Sequence, residues 1–481
     1  MENLLLFFAI LLLASILISK ISDKFGIPAL LVFLGVGMLA GSEGLLGVHF
    51  DNQIIAQNVG MLALIFILYA GGLDTNFSSI KPVFSRGLTL ATIGVILTAF
   101  AVAPMAKILL GFSWFESLLL GAVISSTDAA AVFAILRAKK ISLKNNLAPL
   151  IEFESGSNDP MAIFLTMNII QIISISQIPS PVDWLSVLGM QFGIGIALGY
   201  LFGLALPSIF NRLRLSNWGM YPVFSMAWIL LLYTLCFKIG GNGYLAVYIA
   251  GIFINKRDFV HKKNLIGFHD GIAWAMQIVV FLTLGLLVFP SQLPEIALMA
   301  FVLSLWLTFI ARPVGVFVSL IGSKFNFNEK LFVSWVGLRG VVPIILATYT
   351  YVENIPNANI IFNIVFFMVL TSICMQGMSI GYAATKFNVR LDEAQEENAK
   401  VENSPILTYA LRQYTINLGA KVIGKNLAEV SLPSEFLIIL VKRKNEYLKP
   451  TGSYIFNEGD LLLVQCENHA LYQDTIKSLV G

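Results

Sequence analysis

Thirteen stretches of this chain are apolar for long enough to cross a lipid bilayer, and that leaves few folds open. A spanning helix needs roughly 17–25 mostly apolar residues. Such stretches lie near 3–19, 28–47, 57–74, 87–106, 115–137, 146–174, 184–208, 219–237, 243–255, 268–289, 294–320, 331–350 and 359–384. The ninth is short, and the parity of the count turns on it. Only 12% of residues are charged and the mean hydropathy is +0.80, where a soluble domain carries about 25% charge. The start, Met1-Glu2-Asn3, lacks the basic residues of a secretory signal and no small-x-small cleavage site follows, so 3–19 reads as a retained span.

The connections carry the orientation. With the N-terminus outside, the loops and span ends at 20–27, 75–86, 137–145, 209–218, 256–267, 321–330 and 385–390 hold 18 Lys and Arg residues. The other side holds two, Lys107 and Lys238. Basic residues accumulate on the cytoplasmic side, so the expectation is a multi-pass protein of a cell membrane, N-terminus outside and C-terminus cytoplasmic. From about residue 391 the composition changes. Leu391–Lys400 is a polar, acidic linker, and 405–481 alternate like a small α/β domain. There Phe436–Val441 and Leu461–Gln465 read as strands, Asn445-Glu446 as a turn and 468–479 as a closing helix. The domain division is 1–385 membrane, 386–404 linker and 405–481 cytoplasmic. Three scattered cysteines, Cys236, Cys374 and Cys466, match no disulfide framework or metal spacing.

An ionisable group inside a span is costly and marks function by default. The fifth span carries Ser125-Ser126-Thr127-Asp128, and the sixth Glu152, Glu154, Ser155, Asn158, Asp159 and Pro160. The eleventh has Arg312, and the twelfth Gly337-Leu338-Arg339-Gly340. On a helix Glu152, Ser155 and Asp159 share one face, while Glu154 and Asn158 share the next. Pro160 removes a donor, which predicts irregular backbone near Asp159. Ser-Ser-Thr-Asp can satisfy an unwound backbone with its own side chains, and the glycines beside Arg339 suit a second interruption. Spans 5 and 12 lie seven apart, as do 6 and 13. That matches two inverted six-helix repeats joined by span 7, the arrangement in which broken helices hold ions. Taken singly, these signals have structural readings: an interhelical hydrogen-bond cluster at Ser125–Asp128, a capped kink at Asn158-Asp159, a structural Glu154–Arg339 ion pair. Arg312 reads as snorkelling at a span end, Asp74 as an end-of-helix residue, and Gly35 and Gly37 as close helix packing. None of the four histidines occupies a polar intramembrane position, against a histidine-based hydrolase or a metal enzyme.

At these motifs the chain resembles the monovalent cation:proton antiporter superfamily, in the Asn-Asp branch of bacterial Na⁺/H⁺ and K⁺/H⁺ exchangers. The resemblance rests on Ser126-Thr127-Asp128, Glu154–Pro160 and Gly337–Gly340. It implies crossed half-helices at spans 5 and 12 and a core domain (spans 4–6 and 11–13) moving against a dimerisation domain (spans 1–3 and 7–10). It makes Asp159 the shared carrier of cation and proton, with Ser155, Asp128 and the Thr127 carbonyl completing the oxygen shell. Arg339 would pair with Glu154, and Asn158 would organise the crossing. The tail resembles the C-terminal subdomain of regulator-of-K⁺-conductance domains, through Val422–Leu427, Leu432-Pro433, Lys442-Arg443, Pro450–Gly452 and Glu458–Asp460. Such tails pair in homodimers around a small ligand, a nucleotide being the usual candidate, and tilt the cation towards K⁺.

The expected activity is electroneutral 1:1 exchange of K⁺ or Na⁺ for H⁺, with no catalytic cofactor and no nucleic-acid partner. A channel would need a continuous pore and no proton dependence. An organic-anion transporter on a related fold would need basic residues at the site without the acids. A serine hydrolase at Gly156-Ser157 has no base within the membrane.

Overall fold

The computed structural model describes residues 2–22, 28–175, 179–391, 411–416, 420–430, 432–433, 436–443, 446–466 and 475–476. The chain divides into two compact units, Met1–Arg390 and Leu391–Gly481.

In the first unit every apolar stretch falls on helix. We number them α1 (Glu2–Ser22), α2 (Ala29–Ala40), α3 (Gln53–Asp74), α4 (Phe84–Leu110), α5 (Trp114–Val123), α6 (Ala129–Ala138), α7 (Leu147–Ile175) and α8 (Pro181–Leu213). There follow α9 (Met220–Lys238), α10 (Gly243–Asn255), α11 (Lys262–Leu286), α12 (Pro290–Ser319), α13 (Phe327–Trp335), α14 (Val341–Val352) and α15 (Ala358–Lys386). Among the described residues eight of these, α3, α4, α7, α8, α9, α11, α12 and α15, are long and apolar enough to cross a membrane by themselves. The expected fifth and twelfth spans are each two short helices, α5 with α6 and α13 with α14, separated by non-helical Ile124–Asp128 and Val336–Gly340.

Small residues set the tightest approaches. A side chain on Gly37 of α2 would meet Gly285 of α11 at 2.9 Å, and one on Gly251 of α10 would meet Gly72 of α3 at 2.9 Å. Close packing between apolar helices relies on such positions. The packing expectation holds at Gly37; Gly35 has nothing within 4 Å. Two other expectations are corrected. α7 runs unbroken through Pro160; the ring removes the donor to the Gly156 carbonyl, and the helix continues on the bonds either side. Arg312 does not snorkel; it is 2% exposed.

The second unit contains a four-stranded antiparallel sheet, β1 (Leu411–Thr415), β2 (Leu437–Arg443), β3 (Glu446–Leu448) and β4 (Leu461–Gln465), in the order β1-β4-β2-β3. β2 and β4 are the two apolar strands foreseen from sequence. The edge strands β1 and β3 are polar, and polar edges blunt unwanted pairing, which hides them from a hydrophobic pattern. Ile416, Val422, Phe436, Val441, Phe456, Leu462 and Val464 form the core. The acidic linker at 392–400, Asn445 of the expected turn and most of the expected closing helix 468–479 lie outside the described residues. At one end of the sheet Asp460, fully buried, accepts from Arg443 Nε and Nη2 (2.8 Å each), Tyr454 Oη (2.7 Å) and the Asn457 backbone N–H (2.8 Å). Burial alone would raise the Asp460 pKa, but these bonds outweigh it and hold the carboxyl below its ordinary range.

Candidate functional site: two interrupted helices against α7

The two unwound stretches cross. The Asp128 N–H donates to the Leu338 carbonyl at 2.8 Å, and a side chain on Gly340 would overlap the Asp128 carboxylate, so only glycine lets the strands approach this closely. Each interruption leaves carbonyls at a helix C-terminus and N–H groups at an N-terminus. The Arg339 guanidinium donates to the Ser125 (2.8 Å) and Ser126 (2.5 Å) carbonyls just beyond the end of α5. Asp128 caps α6, accepting from the Ala131 N–H at 3.2 Å. Cations at C-termini and anions at N-termini both suit the helix dipole.

α7 completes the site. Ser155 Oγ accepts from the Ala129 N–H and donates to the Thr127 carbonyl, both at 2.8 Å. Asn158 Nδ2 donates to Thr127 Oγ1 at 2.6 Å. Ser155 and Asn158 thus clamp the unwound Ser126–Asp128 segment onto α7. Asp159 is 8% exposed, and its Oδ1 has no hydrogen-bond partner.

Glu154 pairs with Arg312, not Arg339: Arg312 Nη1 lies 2.6 Å from Glu154 Oε1, with both side chains 2% exposed. The physical reason is rotational. Glu154 sits on the α7 face beside the one bearing Asp159 and Ser155, so it meets α12, while the guanidinium of Arg339 is engaged by α5 carbonyls. A charge as deep as Arg312 requires a partner; the sequence signal was a second intramembrane arginine beside proline.

A cavity of about 1050 Å³ adjoins the crossing. Ser126, Thr127, Asp128, Ser155 and Asp159 line it; Glu154, Asn158 and Arg339 do not. It reaches Asp74 at the end of α3, Arg137 in the last turn of α6 and Asp270 near the start of α11. No lining residue comes from the opposite helix ends at 111–116, 288–292 or 353–358. Asp74, read from sequence as an end-of-helix residue, both ends α3 and faces this cavity. Glu152, Tyr248 and Asp270 also line it. Among the described residues no group of three or more His, Cys, Asp or Glu could hold a metal ion, so what the site offers is a mixed oxygen set with two acids.

The model of the sodium/hydrogen exchanger transmembrane family matches residues 8–386, and that of the TrkA-C domain matches 411–473. The chain is 38% identical over 467 residues to a K⁺/H⁺ antiporter NhaP2 of Shewanella sp. strain ANA-3, covering 96% of this chain and 81% of that protein. It is 36% identical over 471 residues to a K⁺/H⁺ antiporter NhaP of Alkalimonas amylolytica, with the same coverage. The sodium proton antiporter MjNhaP1 of Methanocaldococcus jannaschii superposes with a TM-score of 0.70 at 25% identity, over 80% of this chain and 99% of that one.

Proposed function

We propose, for a multi-pass chain that belongs to the sodium/hydrogen exchanger family of membrane transporters and ends in a TrkA-C domain, exchange of a monovalent cation, K⁺ in preference to Na⁺, for protons. The observation that carries the reading is Asp159: a buried carboxylate with a free oxygen, on a cavity that Asp128, Ser155 and Thr127 also line. The relatives named as K⁺/H⁺ antiporters support the choice of K⁺.

The carrier works by competition. A carboxylate held away from water binds a proton or a cation, since either cancels its charge, and holds both poorly. An empty, charged site is costly to move through the bilayer core, so only the loaded forms cross and exchange is obligatory. Asn158, at the position beside the carrier, is neutral, so protonated and cation-loaded carriers bear equal charge and exchange is electroneutral, 1:1. The motion in this reading is an elevator in which α4–α7 with α12–α15 move against α1–α3 with α8–α11, on thirteen spans in two inverted repeats; the two groups touch chiefly through α14 against α3. The 18-to-2 charge bias supports an outside N-terminus and a cytoplasmic C-terminus, which makes the cavity inward-facing. A domain of this size is small for an independent core, which supports a tail that pairs in a homodimer; the resemblance of the tail is the ground for a regulatory nucleotide between the two copies.

Asp159→Asn tests the mechanism. In proteoliposomes the variant should insert and assemble like the unaltered protein and show no cation-driven proton flux with K⁺ or Na⁺. Substantial flux would sink the single-carrier reading.

A further inference from the structure

Three acids in the cavity lie outside the proposed carrier site. Glu152 of α7 is on the same helix face as Ser155 and Asp159, seven residues or about 10 Å of helix rise from the latter. Asp74 and Asp270, both exposed, line the same cavity. The cavity lining holds five carboxylates, Asp74, Asp128, Glu152, Asp159 and Asp270, against two bases, Arg137 and Lys139. Outside the carrier site the lining acids, Asp74, Glu152 and Asp270, outnumber the bases by one. A second observation points to a ligand here. The hydroxyl of Tyr248, a residue 1% exposed, lines the same cavity beside Thr75, Glu152 and Ser157 and makes no hydrogen bond of normal geometry with any of them. Its ring packs against Gly156, one turn along α7 from Glu152.

We infer that Glu152 and the Tyr248 hydroxyl, with Asp74 and Asp270 at the mouth, form a loading site that receives a hydrated monovalent cation before it reaches Asp159. These acids are not clustered tightly enough to hold a dehydrated ion, and a loading site needs no such grip. An excess of acids in a cleft with low-dielectric walls concentrates cations. Arg137 at the mouth keeps the cluster from binding the cation too tightly to release it. The inference rests on Asp159 as carrier.

The test is the K⁺ dependence of initial exchange rate in proteoliposomes. Glu152→Gln should raise the apparent KM for K⁺ on the order of tenfold, while the maximal rate changes less than about twofold. The effect should shrink as ionic strength is raised with impermeant choline chloride, since screening weakens such fields. Tyr248→Phe should raise KM by a smaller factor. A lower maximal rate at unchanged KM would mean a structural role and overturn the loading site. Should Glu152→Gln fail to insert, Glu152→Asp and Tyr248→Phe carry the test, and an unchanged KM in both overturns it. Flux through Asp159→Asn refutes the carrier itself; a silent Asp159→Asn with unaltered KM in Glu152→Gln refutes only the loading site.

Discussion

Asp159 in the membrane unit and Asp460 in the tail are both buried, 8% and 0% exposed, but their surroundings are opposite. Asp460 is saturated by Arg443, Tyr454 and a backbone N–H, whereas Asp159 keeps an oxygen without a partner and a cavity beside it. A buried acid whose bonds are all made is a structural fixture, since any exchange of partners costs more than it returns. One left short of bonds can trade ligands. Glu154, only five residues from Asp159, falls on the structural side because Arg312 holds it. Bonding, more than burial or position in sequence, is what distinguishes Asp159 from Glu154 and Asp460.

The comparison can be broken in several places. The largest effect expected is the loss of exchange in Asp159→Asn without loss of folding. Next is the scaffold pair. Arg312→Ala leaves Glu154 as an uncompensated buried charge and should cost about 3–5 kcal/mol, read as lost expression and a lower Tm in detergent. Arg312→Ala with Glu154→Ala should recover part of that loss, and a double variant no better than the single would mean that the pair is not coupled.

The tail gives a pH-dependent effect. The Asp460 pKa is lower folded than unfolded, so its contribution is present above the ordinary carboxylate pKa, about 3.9. It is lost as pH falls through the lower folded value. Limited proteolysis of the full chain should show the tail resisting cleavage until the pH is below about 4. In Arg443→Ala, which should cost the tail about 3 kcal/mol, cleavage should begin at higher pH; equal profiles would mean that the cluster is not a fixture. The smallest expected effect is a null. With Asn158 neutral, clamping the membrane potential at zero pH gradient should leave the exchange rate unchanged, and a voltage-driven flux would require more than one proton per cation.

What the sequence determined is the part governed by local physics. Hydrophobic length fixed the helices, because backbone polar groups in lipid must bond within their own segment. The glycine- and serine-rich interruptions marked where helix would stop at Ile124–Asp128 and Val336–Gly340. Helical spacing put Ser155 and Asp159 on one face. Tertiary structure alone decided which partner each charge received. Glu154 found Arg312 from α12 and Arg339 took the carbonyls beyond α5, because the pairing depends on how α7 is rotated against helices more than a hundred residues away. The cavity that joins Asp74, Glu152, Tyr248 and Asp270 to Asp159 is likewise a product of packing between α3, α6, α7, α10 and α11, and a void between helices has no signature in any one of them.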